Sequence, residues 1–383
     1  MTSKTTPKPR TARPLRAVMT PADAALVNVL LSAVMGAACG DALGTTLEFS
    51  HRARVGWDFK GPYGHDDIVG KGPFNCAVGE VTDDTQMAVA IARAITADRA
   101  YRPESVVARF KAWKRVAFDI GGTTSGGIAA HREGTHPLFA VPVRASTGAN
   151  GALMRATPLG VWQFRNRRVV LRNALSDAML THNSAECCLL NAAYASAIAR
   201  LLALRARGTT TLPVLQTEAL KAARWALREG AEVLRDFRVY EEGDILRAVL
   251  DASKDLRMGQ EDDPMLYGED EPRVGVQGAG SGGARTAFRL AWWQLFHAPS
   301  YRVGVVDTVN RGGDADTTGA IVGGLLGALL GLGGRKGIPS DWLEAVEDCH
   351  PNHTQLRDFH PGFFRPFAIL AAGCSPTGTA PQG

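Results

Sequence analysis

The chain of 383 residues contains only six cysteines. None of them forms a CxxC pair, and their spacing along the chain is irregular. This pattern argues against a zinc site built from paired cysteines and against a disulfide framework. Buried free thiols in a reducing compartment are the interpretation that remains, so we expect a cytoplasmic protein.

Basic charge is scarce outside the first twenty residues. The formal net charge is +5, and residues 1–20 contain no acid. The basic residues there account for the whole excess: Lys4, Lys8, Arg10, Arg13 and Arg16. Because the rest of the chain is formally neutral, a basic face for nucleic acid is not indicated, and we expect no nucleic-acid partner.

Clear signals for a targeting segment or a membrane span are also missing. Residues 321–332 are all apolar or glycine, but this run is too short to cross a bilayer. Residues 24–39 follow a basic start in the manner of a signal peptide, yet Asp23 precedes them and Asn28 interrupts them. We therefore expect no targeting segment and no membrane association, and we predict a core helix at 321–332.

Alternating runs of strand type are few, whereas apolar residues recur at spacings of three and four. The segments with this period are 26–38, 86–97, 106–116, 186–204, 218–234, 284–296 and 318–332. The period predicts helices, and we expect one compact all-α domain over residues 21–372, acting as a monomer. Residues 1–20 and 373–383 are expected to be disordered tails.

Residues 241–283 are the least regular part of the chain. Residues 241–271 carry eleven acids against three basic residues. We expect an acidic insertion near residues 241–275 with an exposed loop at its centre. Such a loop could attract an arginine-rich target surface, and a simple solvated loop is the alternative.

Two segments each place two carboxylates and a hydroxyl in one turn at the predicted start of a helix. They are Thr82-Asp83-Asp84-Thr85 and Asp314-Ala315-Asp316-Thr317. Helix capping is one explanation, because Asp83 and Gln86 have the spacing of a capping box. Capping uses one oxygen at a time, however, and neighbouring carboxylates repel unless they are protonated or bridged by cations.

Oxygen ligands of this kind suit hard divalent cations such as Mg²⁺ and Mn²⁺. If the two clusters converged from opposite helices, they would fit two cations about 3.5–4 Å apart. We therefore predict a pair of divalent cations, Mg²⁺ or Mn²⁺, as cofactors.

Five motifs, taken in chain order, resemble those of the ADP-ribosylglycohydrolase family. They are residues 35–44 with Glu48, 82–85, 150–155, 181–183 and 312–317. The resemblance implies an all-α fold with a dinuclear Mg²⁺ or Mn²⁺ centre. It also implies removal of ADP-ribose from modified proteins or related conjugates.

The resemblance implies roles for individual residues. Glu48 and Asp119 resemble catalytic carboxylates, one beside the metals and the other near the scissile ribose. Asp41 is expected to orient the ligands, and an ordinary turn aspartate is the alternative. The residues that resemble metal ligands are Thr82, Asp83, Asp84, Asp314, Asp316 and Thr317.

Residues 119–124 offer backbone amides without obstructing side chains, as a pyrophosphate requires in a protein without a basic face. By the same resemblance, Gly121 and Gly122 contact the phosphates, Asn150 and Gly151 hold the distal ribose and phosphates, and His182 lines the ADP-ribose pocket. A plain glycine turn and a structural histidine are the alternatives.

Two further motifs do not indicate an additional binding site. The GxGxxG sequence at 278–283 has no preceding strand, so it does not indicate a dinucleotide fold. His350, His353 and His360 lie among polar loop residues, and we do not expect a separate metal site there.

The predicted reaction is hydrolysis of the N-glycosidic bond between ADP-ribose and a protein side chain. Arginine is favoured because the Asp119 loop and the last cluster resemble bacterial branches of the family linked to arginine reversal. Glu48 or Asp119 would activate water or protonate the leaving group. Two other functions stay open: an antitoxin that binds and neutralises an ADP-ribosyltransferase, and a catalytically silent, crystallin-like binding protein. Retention of all six expected ligands argues against the silent protein.

Overall fold

The computed structural model describes residues 19–49, 64–144, 148–261 and 282–374. These residues form fifteen α-helices and two short 3₁₀ helices, Thr354–Phe359 and Pro361–Phe363, and they contain no β-strand. The all-α prediction is confirmed. In chain order the helices are α1 (Pro21–Gly44), α2 (Asp83–Asp98), α3 (Pro103–Lys114), α4 (Gly122–Ala130), α5 (Pro137–Ala140), α6 (Thr157–Val161), α7 (Arg167–Met179), α8 (Ala185–Arg205), α9 (Leu212–Phe237), α10 (Glu242–Met258), α11 (Ala284–His297), α12 (Tyr301–Val309), α13 (Ala315–Leu330), α14 (Ser340–Glu347) and α15 (Phe364–Ala371).

Helices α1 and α13 pack with their backbones in direct contact through glycine. A Cβ atom at Gly40 would lie 2.0 Å from the carbonyl oxygen of Gly319. One at Gly44 would lie 2.3 Å from the Cα atom of Asp316. Any larger residue would push the helices apart, since core packing leaves little room for added atoms. This contact sets Asp41, near the end of α1, beside the first turn of α13.

Helices α1 and α8 are long and apolar enough, by length and composition, to cross a membrane. Both belong to the core, because 61% of the most apolar window of α1 and 89% of that of α8 are buried inside the protein. The run at 321–332 lies mostly in α13, which is buried along most of its length. The predicted core helix is therefore confirmed, and burial accounts for the apolar surface of all three helices.

The seven segments with a helical period coincide with α1, α2, α3, α8, α9, α11 and α13. Helix α10 corrects the expectation that the backbone is irregular from residue 241 onward. Ile245, Ala248, Ala252 and Leu256 form its buried stripe at helical spacing, but the acids between them mask the period. The centre of the predicted acidic loop, in residues 262–281, lies outside the described residues, as do residues 1–18 and 375–383.

All six cysteines are free thiols. Five of them are buried, and Cys374 is half-buried. This confirms the interpretation of the cysteines as buried thiols. Their location in a cytoplasmic protein stays a prediction.

Candidate metal and substrate site

The two acidic clusters lie at the amino ends of α2 and α13, and these ends meet. The Oγ1 atom of Thr82 donates to Oδ2 of Asp316 over 2.9 Å. Gly312 and Gly313 take φ angles of 71° and 75°, in the left-handed region that favours glycine. The two glycines therefore allow the turn that delivers Asp314 and Asp316 to the start of α13.

The explanation of the clusters as helix caps is wrong. Neither Thr82, the N-cap of α2, nor Asp314, the N-cap of α13, makes a side-chain capping hydrogen bond. The side chain of Gln86 donates to the carbonyl of Val81 over 2.7 Å and accepts from the indole of Trp113 over 2.8 Å. Capping by these N-cap side chains therefore does not explain the clusters, although Asp316 Oδ1 accepts from the backbone N–H of Thr317 over 2.7 Å.

Asp41 is fully buried within α1, so the alternative of a turn aspartate is wrong. Its carboxylate accepts from the backbone N–H of Thr82 over 3.0 Å and from that of Thr85 over 3.1 Å. These bonds hold the first turn of α2 in place. The contacts suit the predicted orienting role, which stays a prediction.

The hydroxyl of Thr82 lies among three carboxylates. Its Oγ1 atom is 3.0 Å from Asp41 Oδ1, 3.1 Å from Asp84 Oδ2 and 2.9 Å from Asp316 Oδ2. One hydroxyl proton satisfies only one acceptor at a time. Asp41 Oδ1 also accepts from the backbone N–H of Thr82, but of the oxygens of Asp84 and Asp316, the one that the hydroxyl does not reach needs a proton of its own or a cation.

The carboxylates form two groups of three that share one member. Asp41, Asp84 and Asp316 present oxygens that all lie within 4.8 Å of one another, and so do Glu48, Asp314 and Asp316. Adjacent groups joined by a shared carboxylate are the arrangement that two neighbouring cations require. Asp83 lies in neither group.

Burial raises the pKa of Asp41, Asp84 and Asp314, and the charge of Asp316 adds to the effect. The pKa of Asp41 is raised to about 7, that of Asp314 to about 6, and that of Asp84 far above its ordinary range. The Oδ1 atom of Asp84 is buried and has no hydrogen-bond partner among the described residues. The all-oxygen donor set and this unsatisfied oxygen both fit a divalent cation. The site can therefore hold metal.

Glu48 connects the chain after α1 to the start of α13. Its Oε2 atom accepts from the backbone N–H of Ala315 over 2.8 Å and from that of Asp316 over 3.3 Å. Burial, followed by the charge of Asp316, raises the pKa of Glu48 far above its usual range. Glu48 is thus fixed in place by the helix that carries two predicted ligands.

Asp119 and the glycines after it form another wall of the site. Gly121 is the N-cap of α4, and no side chain caps this helix end. The segment is more than a plain glycine turn, since helix α4 begins at Gly122, and an uncapped helix start of this kind can bind an anion. Asp119 is half-buried, and burial together with the charges of Asp316 and Asp314 raises its pKa to about 7.

The predicted substrate residues of the middle motifs lie at the same place. The side-chain amide of Asn150 donates to Asp314 Oδ2 over 2.8 Å. A Cβ atom at Gly151 would lie 2.8 Å from both His182 Cε1 and Thr124 Oγ1, so only glycine fits. Burial lowers the pKa of His182 to about 3, so the ring that forms part of the wall is uncharged near neutral pH.

A cavity of about 300 Å³, here named the carboxylate cavity, joins these residues. The predicted residues that line it are Glu48, Asp83, Asp119, Gly121, Gly122, Asn150, Gly151, His182, Asp314, Asp316 and Thr317. Thr82 and Asp84, which are predicted metal ligands, are not among its lining residues. No lysine or arginine lines it within the described part of the chain. A cavity of about 220 Å³ also has Gly122 and Thr123 in its wall, together with Arg144.

Sequence reasoning missed several residues of this region. Phe49 lines the carboxylate cavity, is half exposed and meets Phe74 edge-on at 6.1 Å between ring centroids. Met154 and Thr124 also line it. Met154 and Thr124 lie inside the motifs 150–155 and 119–124, but nothing in those motifs assigns them a role. No pattern distinguishes Phe49, because an aromatic residue next to a motif is common in loops and cores alike.

Arg155, the basic residue of the third motif, points into the core. Its guanidinium pairs with Asp177 over 2.8 Å, and both side chains are fully buried. It also donates to the carbonyl of Gly151 over 3.2 Å and to the hydroxyl of Thr181 over 2.8 Å. Arg155 therefore braces the motif and is not a phosphate ligand. A single aspartate in an otherwise apolar stretch of α7 was the available signal for its partner.

The histidines near the carboxyl end have local partners. The Nδ1 atom of His353 lies 2.8 Å from Glu80 Oε1, and its ring stacks on Phe118 at 3.8 Å. The Nδ1 atom of His360 accepts from the N–H of Gly362 over 3.0 Å. These contacts give both rings a structural role.

A family model described as ADP-ribosylglycohydrolase matches residues 23–368. The chain belongs to the ADP-ribosylglycohydrolase family. One similar relative is the ADP-ribosyl-[dinitrogen reductase] glycohydrolase of Rhodospirillum rubrum, 27% identical over 83% of this chain and 90% of that protein. Another is the ADP-ribosylarginine hydrolase Tri1 of Pseudomonas putida, 26% identical over 88% of this chain and 79% of that protein.

A solved structure named as an ADP-ribosylglycohydrolase-related protein complex has the same fold. Its TM-score is 0.63, and the alignment covers 91% of this chain and 99% of that chain at 24% identity. Members of the ADP-ribosylglycohydrolase family are hydrolases of glycosidase type. The chain is therefore an ADP-ribosylhydrolase, with an acidic site that can hold metal.

Proposed function

We propose that the chain hydrolyses the N-glycosidic bond between ADP-ribose and arginine side chains of modified proteins, as a cytoplasmic monomer using two Mg²⁺ or Mn²⁺ ions. The observation that carries this proposal is the surplus of acid in the site. Seven carboxylates surround it: Asp41, Glu48, Asp83, Asp84, Asp119, Asp314 and Asp316. They outnumber the four positive charges of two divalent cations, and the remaining negative charge suits a cationic guanidinium.

The similarity to known proteins supports the same linkage. One relative bears the name ADP-ribosylarginine hydrolase, and its alignment covers most of both chains. At 26% identity this supports arginine without deciding it, and the test below compares linkages directly.

The metal centre would draw on Thr82, Asp83, Asp84, Asp314, Asp316 and Thr317. When bound, the two cations would orient the distal ribose hydroxyls and a water molecule. They would also stabilise the charge that develops during cleavage. The role of Asp41 in this centre is to position the first turn of α2. Asn150 positions the carboxylate of Asp314 by donating a hydrogen bond to it.

Asp119 is the residue we assign to proton transfer. A water molecule forms a bond to the anomeric carbon while the carbon–nitrogen bond breaks and its electron pair passes to nitrogen. Asp119 takes the proton of the water, and the released guanidine then takes that proton to become a guanidinium. Because the linked guanidinium is already protonated, its departure needs no separate acid. The raised pKa of Asp119, about 7, suits a group that exchanges a proton near neutral pH.

Glu48 has a different contribution in this scheme. Its Oε2 atom already accepts two backbone N–H bonds at the start of α13. Glu48 therefore holds the ligand-bearing turn and places a carboxylate beside the oxocarbenium-like centre, which negative charge stabilises.

The pyrophosphate would lie at the amino end of α4. The first-turn amides of an α-helix lack intrahelical acceptors and carry the positive end of the helix dipole. Gly121 and Gly122 leave these amides open towards the carboxylate cavity. The neighbouring cavity, with Arg144 and Gly122 in its wall, has room for the adenosine end.

Purified protein incubated with matched ADP-ribosyl-arginine, ADP-ribosyl-serine and O-acetyl-ADP-ribose substrates tests the proposal. Each substrate is assayed with Mg²⁺, with Mn²⁺ and with a chelator, and free ADP-ribose is measured. We expect release from the arginine conjugate in the presence of either metal and none with chelator. Faster release from serine would overturn the linkage, and undiminished release with chelator would overturn the metal requirement.

A further inference from the structure

A second cavity lies away from the carboxylate cavity. Its volume is about 340 Å³, and it opens among α8, α9 and the residues around the start of α7. It shares no lining residue with the carboxylate cavity among the described residues. Ser196, at its wall, is eleven residues beyond Ala185 on α8, which corresponds to about 16 Å along the helix. A ligand here would not touch the reacting atoms.

Basic side chains dominate the wall of this second cavity, which we name the arginine cavity. They are Arg165, Arg167, Arg200, Arg207 and Lys221. The one acid that the described residues place in the wall is Glu218, which pairs with Arg200 and, over 2.9 Å, with Lys221. Within the same residues, Arg165, Arg167 and Arg207 have no carboxylate at ion-pairing distance. The cavity thus holds positive charge that the described part of the protein does not neutralise.

Two of these arginines are pre-organised by aromatic rings. The guanidinium of Arg165 lies 4.3 Å from the ring centroid of Phe164, and that of Arg167 lies 4.5 Å from the centroid of Trp225. Stacking fixes the plane of a guanidinium and leaves its N–H donors free for an anion. The geometry of these donors suits bidentate hydrogen bonding to a phosphate. The hydroxyl of Ser196 is buried and has no hydrogen-bond partner among the described residues, so it offers an additional polar group.

The same wall has an apolar part. Ala199, Ala203 and Ala222 line the cavity together with Phe164 and Trp225. An inorganic anion would leave this surface in contact with water, whereas the base and sugar of a nucleotide would cover it. A volume of this size lies at the lower end of the range for small-molecule sites.

We propose that the arginine cavity binds a nucleoside phosphate, with the phosphates on Arg165, Arg167 and Arg207 and the nucleoside against the alanines and Trp225. This site is separate from the catalytic one. Its occupancy does not depend on which linkage the enzyme cleaves, so binding is measured without substrate turnover.

Titration calorimetry of the full chain with ADP, pyrophosphate and adenosine tests the proposal. We expect ADP to bind more tightly than either fragment. The double change Arg167→Glu with Arg207→Glu should weaken ADP binding by about tenfold or more, equal to about 1.4 kcal/mol, while leaving metal-dependent release of ADP-ribose unchanged. The matched control, Arg247→Glu, reverses an exposed arginine on α10 and should leave ADP affinity as it is.

Three results would overturn the inference. One is the absence of ADP binding to the unmodified chain, and another is ADP affinity that survives the double change, which would place the nucleotide elsewhere. The third is pyrophosphate or adenosine binding as tightly as ADP, because the joint use of charged and apolar walls would then be wrong. Unchanged turnover shows that a loss of ADP binding does not come from misfolding.

Discussion

The carboxylate cavity and the arginine cavity have similar volumes, about 300 and 340 Å³, and opposite charge. The acids of the first are mostly buried at the ends of α1, α2 and α13, and burial raises the pKa of several of them. The basic groups of the second lie nearer the surface, where stacking fixes two of them. Under the proposed function, metal ions and helix amides would offset the charge of the acidic site and so allow it to accept a phosphate-bearing substrate. Positive side chains mark a different site.

Removal of carboxylates from the first cavity should have the largest effect. Asp314→Ala with Asp316→Ala takes away the shared carboxylate and one further member of the second group of three. We expect metal binding to be lost. Turnover should fall by more than about 10–100-fold, which is the loss typical of removing a residue that only supports a metal ligand. Metal titration and release of free ADP-ribose measure the two effects.

The fold should survive this double change. The aspartates repel one another in the absence of cations, so their loss relieves strain in the chelated protein. Circular dichroism should therefore show the same helix content and a melting temperature no lower than that of the chelated parent. Full turnover in the variant would disprove the metal-site assignment, and the charge-reversed Arg167/Arg207 variant is the control for a nonspecific effect of removing charge.

Single changes at Asp119 and Glu48, the two carboxylates proposed for catalysis, should have smaller effects that differ from each other. Asp119→Asn removes a group that exchanges protons, and general acid–base catalysis is worth about 10²–10⁴-fold. We expect kcat to fall within that range while metal affinity is retained. Glu48→Gln keeps an oxygen for the N–H groups of Ala315 and Asp316 but lowers negative charge beside the metals, so metal affinity should fall as well. The reverse pattern would exchange the two assigned roles.

The helices and the site were predictable to different degrees. Apolar spacing in the sequence identified the long core helices. The paired acids identified the site, because two carboxylates in one turn have few structural uses. Helix α10 was not predicted because charged residues separate its four buried apolar residues. Its packing against the core overrides that composition, and tertiary contacts are invisible in a single sequence.

The convergence of the clusters could not be predicted from local sequence. It depends on the close backbone contact of Gly40 and Gly44 with α13. These segments are about 275 residues apart in the chain, and local sequence does not show that they are neighbours in the fold. The burial of Arg155 against Asp177 was hidden for the same reason. The arginine cavity also combines residues from three helical regions whose basic residues look like ordinary solvated charges when read singly.

The smallest of the predicted effects should be a change of protein stability with pH. This change should depend on the carboxylate cavity and not on the arginine cavity. Folding raises the pKa of Asp41 and Asp119 from 3.8 to about 7 and that of Asp314 to about 6. Between pH 4 and 7 the folded chain therefore binds more protons than the unfolded chain. The free energy of unfolding of the chelated protein must then fall as pH rises through this window.

Thermal melts of the chelated protein at pH 5 and pH 8 should show a melting temperature that is at least a few degrees lower at pH 8, since each kcal/mol shifts the melting temperature of a protein of this size by a few degrees. Mg²⁺ or Mn²⁺ should stabilise more at pH 8, because only ionised carboxylates bind the cation well. The Asp314→Ala/Asp316→Ala variant should flatten this dependence. The Arg167→Glu/Arg207→Glu variant should keep it, because guanidinium groups stay charged throughout the range. A chelated parent that is more stable at pH 8 than at pH 5 would contradict the raised pKa values in the carboxylate cavity.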